Sequence, residues 1–321
     1  MKIDRRTALL APFAAGLVAS THAAQLPADP VEEIHLWPDG PPIMPDPPLV
    51  EELRERSTSP EWHDRIRLDI SLPRLAVIRP EQPNGAAALI IPGGGYSWVV
   101  VDKEGLELGH WLAARGVTAF ILFYRLPHQG WATGPDTPLL DAQRAMRLIR
   151  HRASGDRLDP RRIAAIGFSA GGHACADLVA RFATSARPPV DEVDHLSARP
   201  DAAAPIYPVV SMSAPHAHPG SRRNLIGEAA SRELERAHSP HLHVTAEAPP
   251  CFLLHAEDDA SVPVENSLLL RAALRARGVA TELHLFPDGG HGFGLRLARG
   301  RSVENWPELL FAWGRRQNLW P

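Results

Sequence analysis

Gly167-Phe168-Ser169-Ala170-Gly171 is the stretch whose reading decides the fold. A short apolar run, Arg162-Ile163-Ala164-Ala165-Ile166, precedes it, and Gly172 to Ala183 follows with Ala and Leu at helical spacing. A serine between a buried strand and a helix sits on a sharp turn with strained backbone. Two flanking chains must approach it closely, so small residues are needed on either side. Gly167 and Gly171 supply that room, which makes Ser169 a candidate nucleophile on an elbow rather than an ordinary exposed serine.

The same alternation extends outward in both directions. Short apolar runs stand at Leu75 to Ile78, Ala88 to Ile91, Thr118 to Phe123, Ala203 to Tyr207, Phe252 to His255 and Glu282 to Phe286. Helical patterns lie between or after them at 104–115, 139–152, 266–277 and 303–316. Strand and helix in alternation predict an α/β fold, with a mainly parallel sheet covered on both faces. With no internal repeat or long linker, residues 24–321 read as one domain. Residues 24–60 are proline-rich, which excludes regular helix or central strand and predicts a surface-wrapping segment. Residues 211–248 are polar, irregular and rich in His and Pro, and read as a cap or lid insertion.

An alcohol needs a base to become a nucleophile, and the base needs an orienting acid. After an elbow the expected chain order is acid, then histidine. His291, in Gly289-Gly290-His291-Gly292-Phe293, follows the last predicted strand and is the candidate base. His173 lies one turn into the helix behind the serine and reads as structural, as does His255. Glu257, Asp258 and Asp259 all qualify by position as the acid. The distance to Val262-Pro263 favours Asp259, by a narrow margin over Asp258. Pro92-Gly93-Gly94-Gly95-Tyr96 follows the strand ending at Ile91, where backbone N–H groups can meet a substrate oxygen. Gly94, Gly95 and Ala170 are the candidate oxyanion donors, and Tyr96 and Trp98 are expected to line the pocket. Neither Walker nor dinucleotide-binding spacing is present.

Composition bounds the rest. A net charge of −3 gives no reason to expect nucleic acid or an anionic membrane as partner. Lysine is nearly absent, and arginine dominates the cations. Cys175 and Cys251 lack metal-ligand spacing and read as buried thiols, although a disulfide between them is an alternative. The His-rich pieces 215–218 and 238–243 read as exposed loop residues. Residues 1–23 combine a basic head containing Arg5-Arg6, an apolar core and Thr21-His22-Ala23, and read as a twin-arginine export signal. A periplasmic or secreted protein with no stable membrane anchor after cleavage is expected.

The glycine loop, elbow, acid loop and final histidine, in that order, resemble the α/β-hydrolase superfamily. With Leu36-Trp37-Pro38, Phe123-Tyr124-Arg125-Leu126, Asp141-Ala142-Gln143-Arg144-Ala145 and Asn224-Leu225-Ile226-Gly227 added, the chain is similar to bacterial acetylxylan esterases and xylanase-associated acetylesterases. The resemblance implies a Ser169, Asp259, His291 triad, settles the acid as Asp259, and implies no metal and no cofactor. The substrate class it implies is a small or oligosaccharide acetyl ester. Short-chain lipid, feruloyl or peptide substrates are alternatives, as is a silent binding protein of the same fold. Pro92 departs from the histidine that opens this loop in many superfamily esterases.

Overall fold

The computed structural model describes residues 29–321 apart from 31, 42–43 and 185–187. The export-signal reading of residues 1–23 therefore lies outside the described residues. In chain order the strands are β1 (Glu32–His35), β2 (Glu52–Glu55), β3 (Arg65–Leu68), β4 (Arg74–Ile78), β5 (Ala87–Ile91), β6 (Val99–Val100), β7 (Thr118–Phe123), β8 (Ile163–Phe168), β9 (Ala202–Ile206), β10 (Cys251–Ala256) and β11 (Thr281–Phe286). The helices are α1 (Glu107–Ala113), α2 (Thr137–Arg152), α3 (Ser169–Arg181), α4 (Pro219–Ile226), α5 (Arg232–Ala237), α6 (Glu265–Ala276) and α7 (Trp306–Arg316).

Eight strands form one sheet in the order β1-β4-β7-β5-β8-β9-β10-β11. Its β1–β4 and β4–β7 pairs are antiparallel, and the remaining pairs are parallel. Strands β5, β7, β8, β9 and β10 are buried at every position, as expected where helices cover both faces. This explains why they read as unbroken apolar runs and not as alternating ones. Strand β1, from the proline-rich segment, alternates between half-buried and exposed residues at the sheet edge. Strand β8 pairs β5 and β9, so its carboxyl end, and the turn carrying Ser169, lies near the middle of the sheet.

Besides the edge strand β1, three short strands escape the sequence pattern. β2, β3 and β6 make a separate antiparallel sheet, in which β6 is the two-residue continuation of the glycine loop. The 211–248 segment is also more regular than its composition implies. It contains α4, capped by His218, and α5, capped by Ser231. Helices of eight and six residues carry too little periodicity to be seen among prolines and histidines. Cys175 and Cys251 are buried free thiols. Among the described residues no helix is long and apolar enough to cross a membrane.

Candidate active site

The elbow geometry follows from its small residues. Ser169 has φ +53, a left-handed conformation that strains any residue with a Cβ, and it begins α3 directly after β8. A Cβ on Gly167 would strike the Gly171 carbonyl and the Cys175 side chain. One on Gly171 would strike the carbonyls of Ile91 and Pro92 at the end of β5. The two glycines thus let the strand, the helix and the neighbouring glycine loop converge at Ser169.

Ser169 Oγ lies 2.8 Å from His291 Nε2, and His291 Nδ1 lies 2.7 Å from Asp259 Oδ2. The Nδ1–H donates to the carboxylate, which leaves Nε2 to accept from the serine hydroxyl. Asp259 is held from every side. Its Oδ1 accepts the N–H groups of Ser261 and Val262, both at 2.9 Å, and its Oδ2 is 3.2 Å from His255 Nε2. Burial pushes this carboxyl up, but the hydrogen bonds from His255, His291 and the Val262 N–H outweigh it and hold the group well below the usual carboxylate range. His255 is fully buried, with Nδ1 2.8 Å from Ser267 Oγ.

The other candidate acids are placed elsewhere. Asp258 Oδ1 accepts the Gly290 N–H at 2.7 Å and so braces the histidine loop, while Glu257 is exposed. In the glycine loop the Gly93 N–H donates to Glu104 Oε2 at 2.8 Å. The N–H groups of Gly94 and Gly95 have no acceptor among the described residues. Ala170 is the second residue of α3, where backbone N–H groups lack an intrahelical partner. A cavity of about 270 Å³ opens on Gly94, Gly95, Trp98, Ser169, His218 and His291.

Two expectations need correction. Tyr96 is fully buried and does not line this cavity. Its hydroxyl donates to His173 Nδ1 at 2.7 Å, which fixes the φ +60 turn of the glycine loop against α3. His173 in turn donates from Nε2 to the His238 carbonyl at 2.8 Å, and burial pushes its pKa down to about 4. The His-rich pieces are not uniformly exposed either: His238 is buried, and His218 lines the cavity. Burial, with the nearby His291, pushes the His218 pKa down. Among the described residues no group of three His, Cys, Asp or Glu side chains is arranged to hold a metal ion.

Sequence reasoning missed Glu104 and Tyr207. Glu104 is 2% exposed and sits in a single π-helical turn, Asp102–Leu106, ahead of α1. Its Oε1 accepts the Tyr207 hydroxyl at 3.0 Å, and that hydroxyl accepts the Gly294 N–H at 3.2 Å. The Tyr207 ring stands 5.1 Å from the His291 ring. One carboxylate thus joins the glycine loop to the histidine loop. A lone Glu at the head of a helix gives no signal of this in sequence.

The BD-FAE family model matches residues 75–274, from β4 into α6. Two curated relatives are the acetylxylan esterase of Xylanibacter ruminicola and endo-1,4-beta-xylanase B of Butyrivibrio fibrisolvens. The first is 32% identical over 67% of this chain, and the second 34% identical over 68%. The aligned parts span 42% and 34% of those proteins' own lengths. Among solved structures, the acetyl ester-xyloside bifunctional hydrolase from Caldicellulosiruptor lactoaceticus is similar with TM-score 0.75 and 34% identity, covering 90% of this chain and 97% of that one. Carboxylesterase Cest-2923 from Lactobacillus plantarum is similar with TM-score 0.65 and 25% identity, covering 85% and 99%. With the sheet order, the strand-to-helix elbow and these matches in hand, the chain belongs to the BD-FAE family of α/β-hydrolases.

Proposed function

We propose that this protein is a serine carboxylesterase that removes acetyl groups from carbohydrate, with acetylated xylan oligosaccharides as its substrate class. The observation that carries the reading is the unbroken relay from Ser169 Oγ through His291 to Asp259, opening onto the cavity. Similarity to an acetylxylan esterase and to an acetyl ester-xyloside hydrolase supports the substrate class. The cavity of about 270 Å³ gives an ester substrate room to reach Ser169.

In this reading Ser169 Oγ attacks the acetyl carbonyl carbon as its proton passes to His291 Nε2. The carbonyl oxygen, now negative, is met by the N–H groups of Gly94, Gly95 and Ala170. Each such donor contributes about 10²–10³ in rate in comparable sites. Collapse breaks the bond to the sugar oxygen, which leaves with the proton from His291. Water then gives a proton to His291 Nε2 and attacks the acyl-serine. The second collapse frees acetate and returns the proton to Ser169 Oγ. Asp259 stays ionised throughout and stabilises the imidazolium.

Residues 24–321 act here as a single catalytic domain with 211–248 as its cap, and residues 1–23 act as an export signal to the periplasm or beyond. Replacing Arg5 and Arg6 by Lys should trap the protein in the cytoplasm, read by fractionation. The test of the activity is acetate release from acetylated xylo-oligosaccharides, with p-nitrophenyl esters of rising chain length alongside. Acetate release from the sugar and a steep fall beyond short acyl chains are expected. A preference for long acyl chains, with no acetate released from sugar, would point to a lipid esterase and overturn the substrate class.

A further inference from the structure

The cavity over Ser169 continues into a second hollow of about 290 Å³, and the two share Arg56 and Lys103. The hollow is walled by the β2–β3 connection, which contributes hydroxyl side chains and Trp62, and by Arg296 from the opposite side. Its lining sets three cations, Arg56, Lys103 and Arg296, against one carboxylate, Asp64. With Arg56 paired to Asp64 and Arg296 paired to Glu107, the charge left unmatched in this lining is that of Lys103.

Two of those cations are already engaged. Arg56 pairs with Asp64 at 2.9 Å and lies 5.9 Å from the Trp98 ring centroid. Arg296 pairs with Glu107 at 2.9 Å and lies 5.5 Å from the Trp62 centroid. They hold the two indoles that border the groove. Lys103 has no hydrogen bond or ion pair among the described residues. Its Nζ lies over the histidine loop, 3.6 Å from where a Cβ on Gly292 would stand. Glu104, its neighbour in the cavity wall, has both oxygens occupied by Gly93 and Tyr207. Lys103 is also the single lysine in residues 29–321, where arginine fills every other long cationic position. A lysine ammonium is a compact charge with three rotatable donors on a flexible stem, so it can meet a carboxylate without a fixed fork geometry.

We propose that this groove is a second sugar subsite that reads a carboxylate. The substrate class becomes a carbohydrate ester bearing a uronic acid on or beside the acetylated residue. Lys103 meets the uronate, and Trp62, 40% exposed, offers its face to a pyranose ring. The inference rests on the carbohydrate esterase reading above, but its test does not depend on turnover.

Titration calorimetry of the full-length protein would compare two unacetylated xylo-oligosaccharides of equal length, one with a glucuronic acid branch and one without, with free glucuronate as a third ligand. For a solvent-accessible ion pair the acidic oligosaccharide should bind about three- to fivefold more tightly at low salt. That ratio should fall to about one in Lys103→Met and at high salt, and be largely kept in Lys103→Arg. Trp62→Ala should weaken both oligosaccharides. Equal binding of the two by the wild-type protein, or binding of neither, overturns the proposal, as does an unchanged ratio in Lys103→Met. Free glucuronate binding as tightly as the branched oligosaccharide would show that a carboxylate alone is read, and would remove the sugar subsite. Failure to release acetate from acetylated xylan, by contrast, would sink the esterase reading and leave this ratio standing.

Discussion

Asp259 shows how much a single side chain's surroundings decide. Its four hydrogen-bonding neighbours fix both oxygens and favour the ionised form, and His291 Nδ1 donates to it while Nε2 faces the Ser169 hydroxyl. Asp259→Asn should leave the fold intact and lower kcat on p-nitrophenyl acetate by about 10³–10⁴-fold, because the amide stabilises the wrong tautomer. Glu104 is the less visible residue. The two donors meet different oxygens, so a glutamine there sets an NH2 donor against either the Gly93 N–H or the Tyr207 hydroxyl. Glu104→Gln should lower kcat by about 10- to 100-fold with KM within about twofold, through misplacement of the two loops by a fraction of an ångström. An unchanged kcat would show that the glycine and histidine loops hold their positions without it. Ser169 and His291, which the structure brings within 2.8 Å of each other, were singled out by their glycine-flanked motifs together with the strand-to-helix context and the order of the loops. Asp259 was favoured over Asp258 by a narrow margin of spacing and then by resemblance, and Glu104 was not legible, because a buried carboxylate between loops leaves no local pattern.

At the scale of elements, the elbow depends on three backbones meeting with no Cβ between them. Gly171→Ala would push β5 away from α3 and should destabilise the protein by about 3 kcal/mol or more, seen as a lower Tm or as insoluble protein. A Tm within a degree of the wild type would contradict that packing. The main-sheet strands β4, β5, β7, β8, β9 and β10 were readable because burial makes their sequences apolar over several residues, and the half-buried edge strand β11 was read from Leu283, Leu285 and Phe286. The small sheet β2-β3-β6 was not, since β2 is exposed throughout and β6 has two residues. Helices α4 and α5 escaped for the same reason of length. Of these unread parts, β6, α4 and the β2–β3 connection border the cavity and its extension, where loop and short-element variation sets specificity. The chemistry was therefore more legible than the substrate.

Over the whole molecule, the sheet order brings residues far apart in sequence to the carboxyl ends of neighbouring strands. The glycine loop follows β5, the elbow follows β8, and Asp259 follows β10. The buried Tyr96–His173–His238 chain links the glycine loop, α3 and the cap segment into one unit. It also makes stability depend on pH. His173 has its folded pKa depressed to about 4, whereas the unfolded chain binds the proton near 6.5. Its contribution is therefore complete above about pH 6.5 and is lost as pH falls toward 4, by about 2 kcal/mol between pH 7 and pH 5. Urea denaturation at the two pH values should show that loss in the wild type and less of it in His173→Gln. An equal loss in both would mean that other groups govern acid sensitivity.

In the proposed mechanism Ser169 alone carries the covalent chemistry. A fluorophosphonate that phosphonylates activated serines, followed by mass spectrometry of the intact and digested protein, tests it directly. One adduct per chain is expected, on the peptide containing Ser169, with esterase activity lost in step with labelling and no adduct formed by Ser169→Ala. Labelling at another residue, or full activity in the completely labelled protein, would show that Ser169 is not the nucleophile.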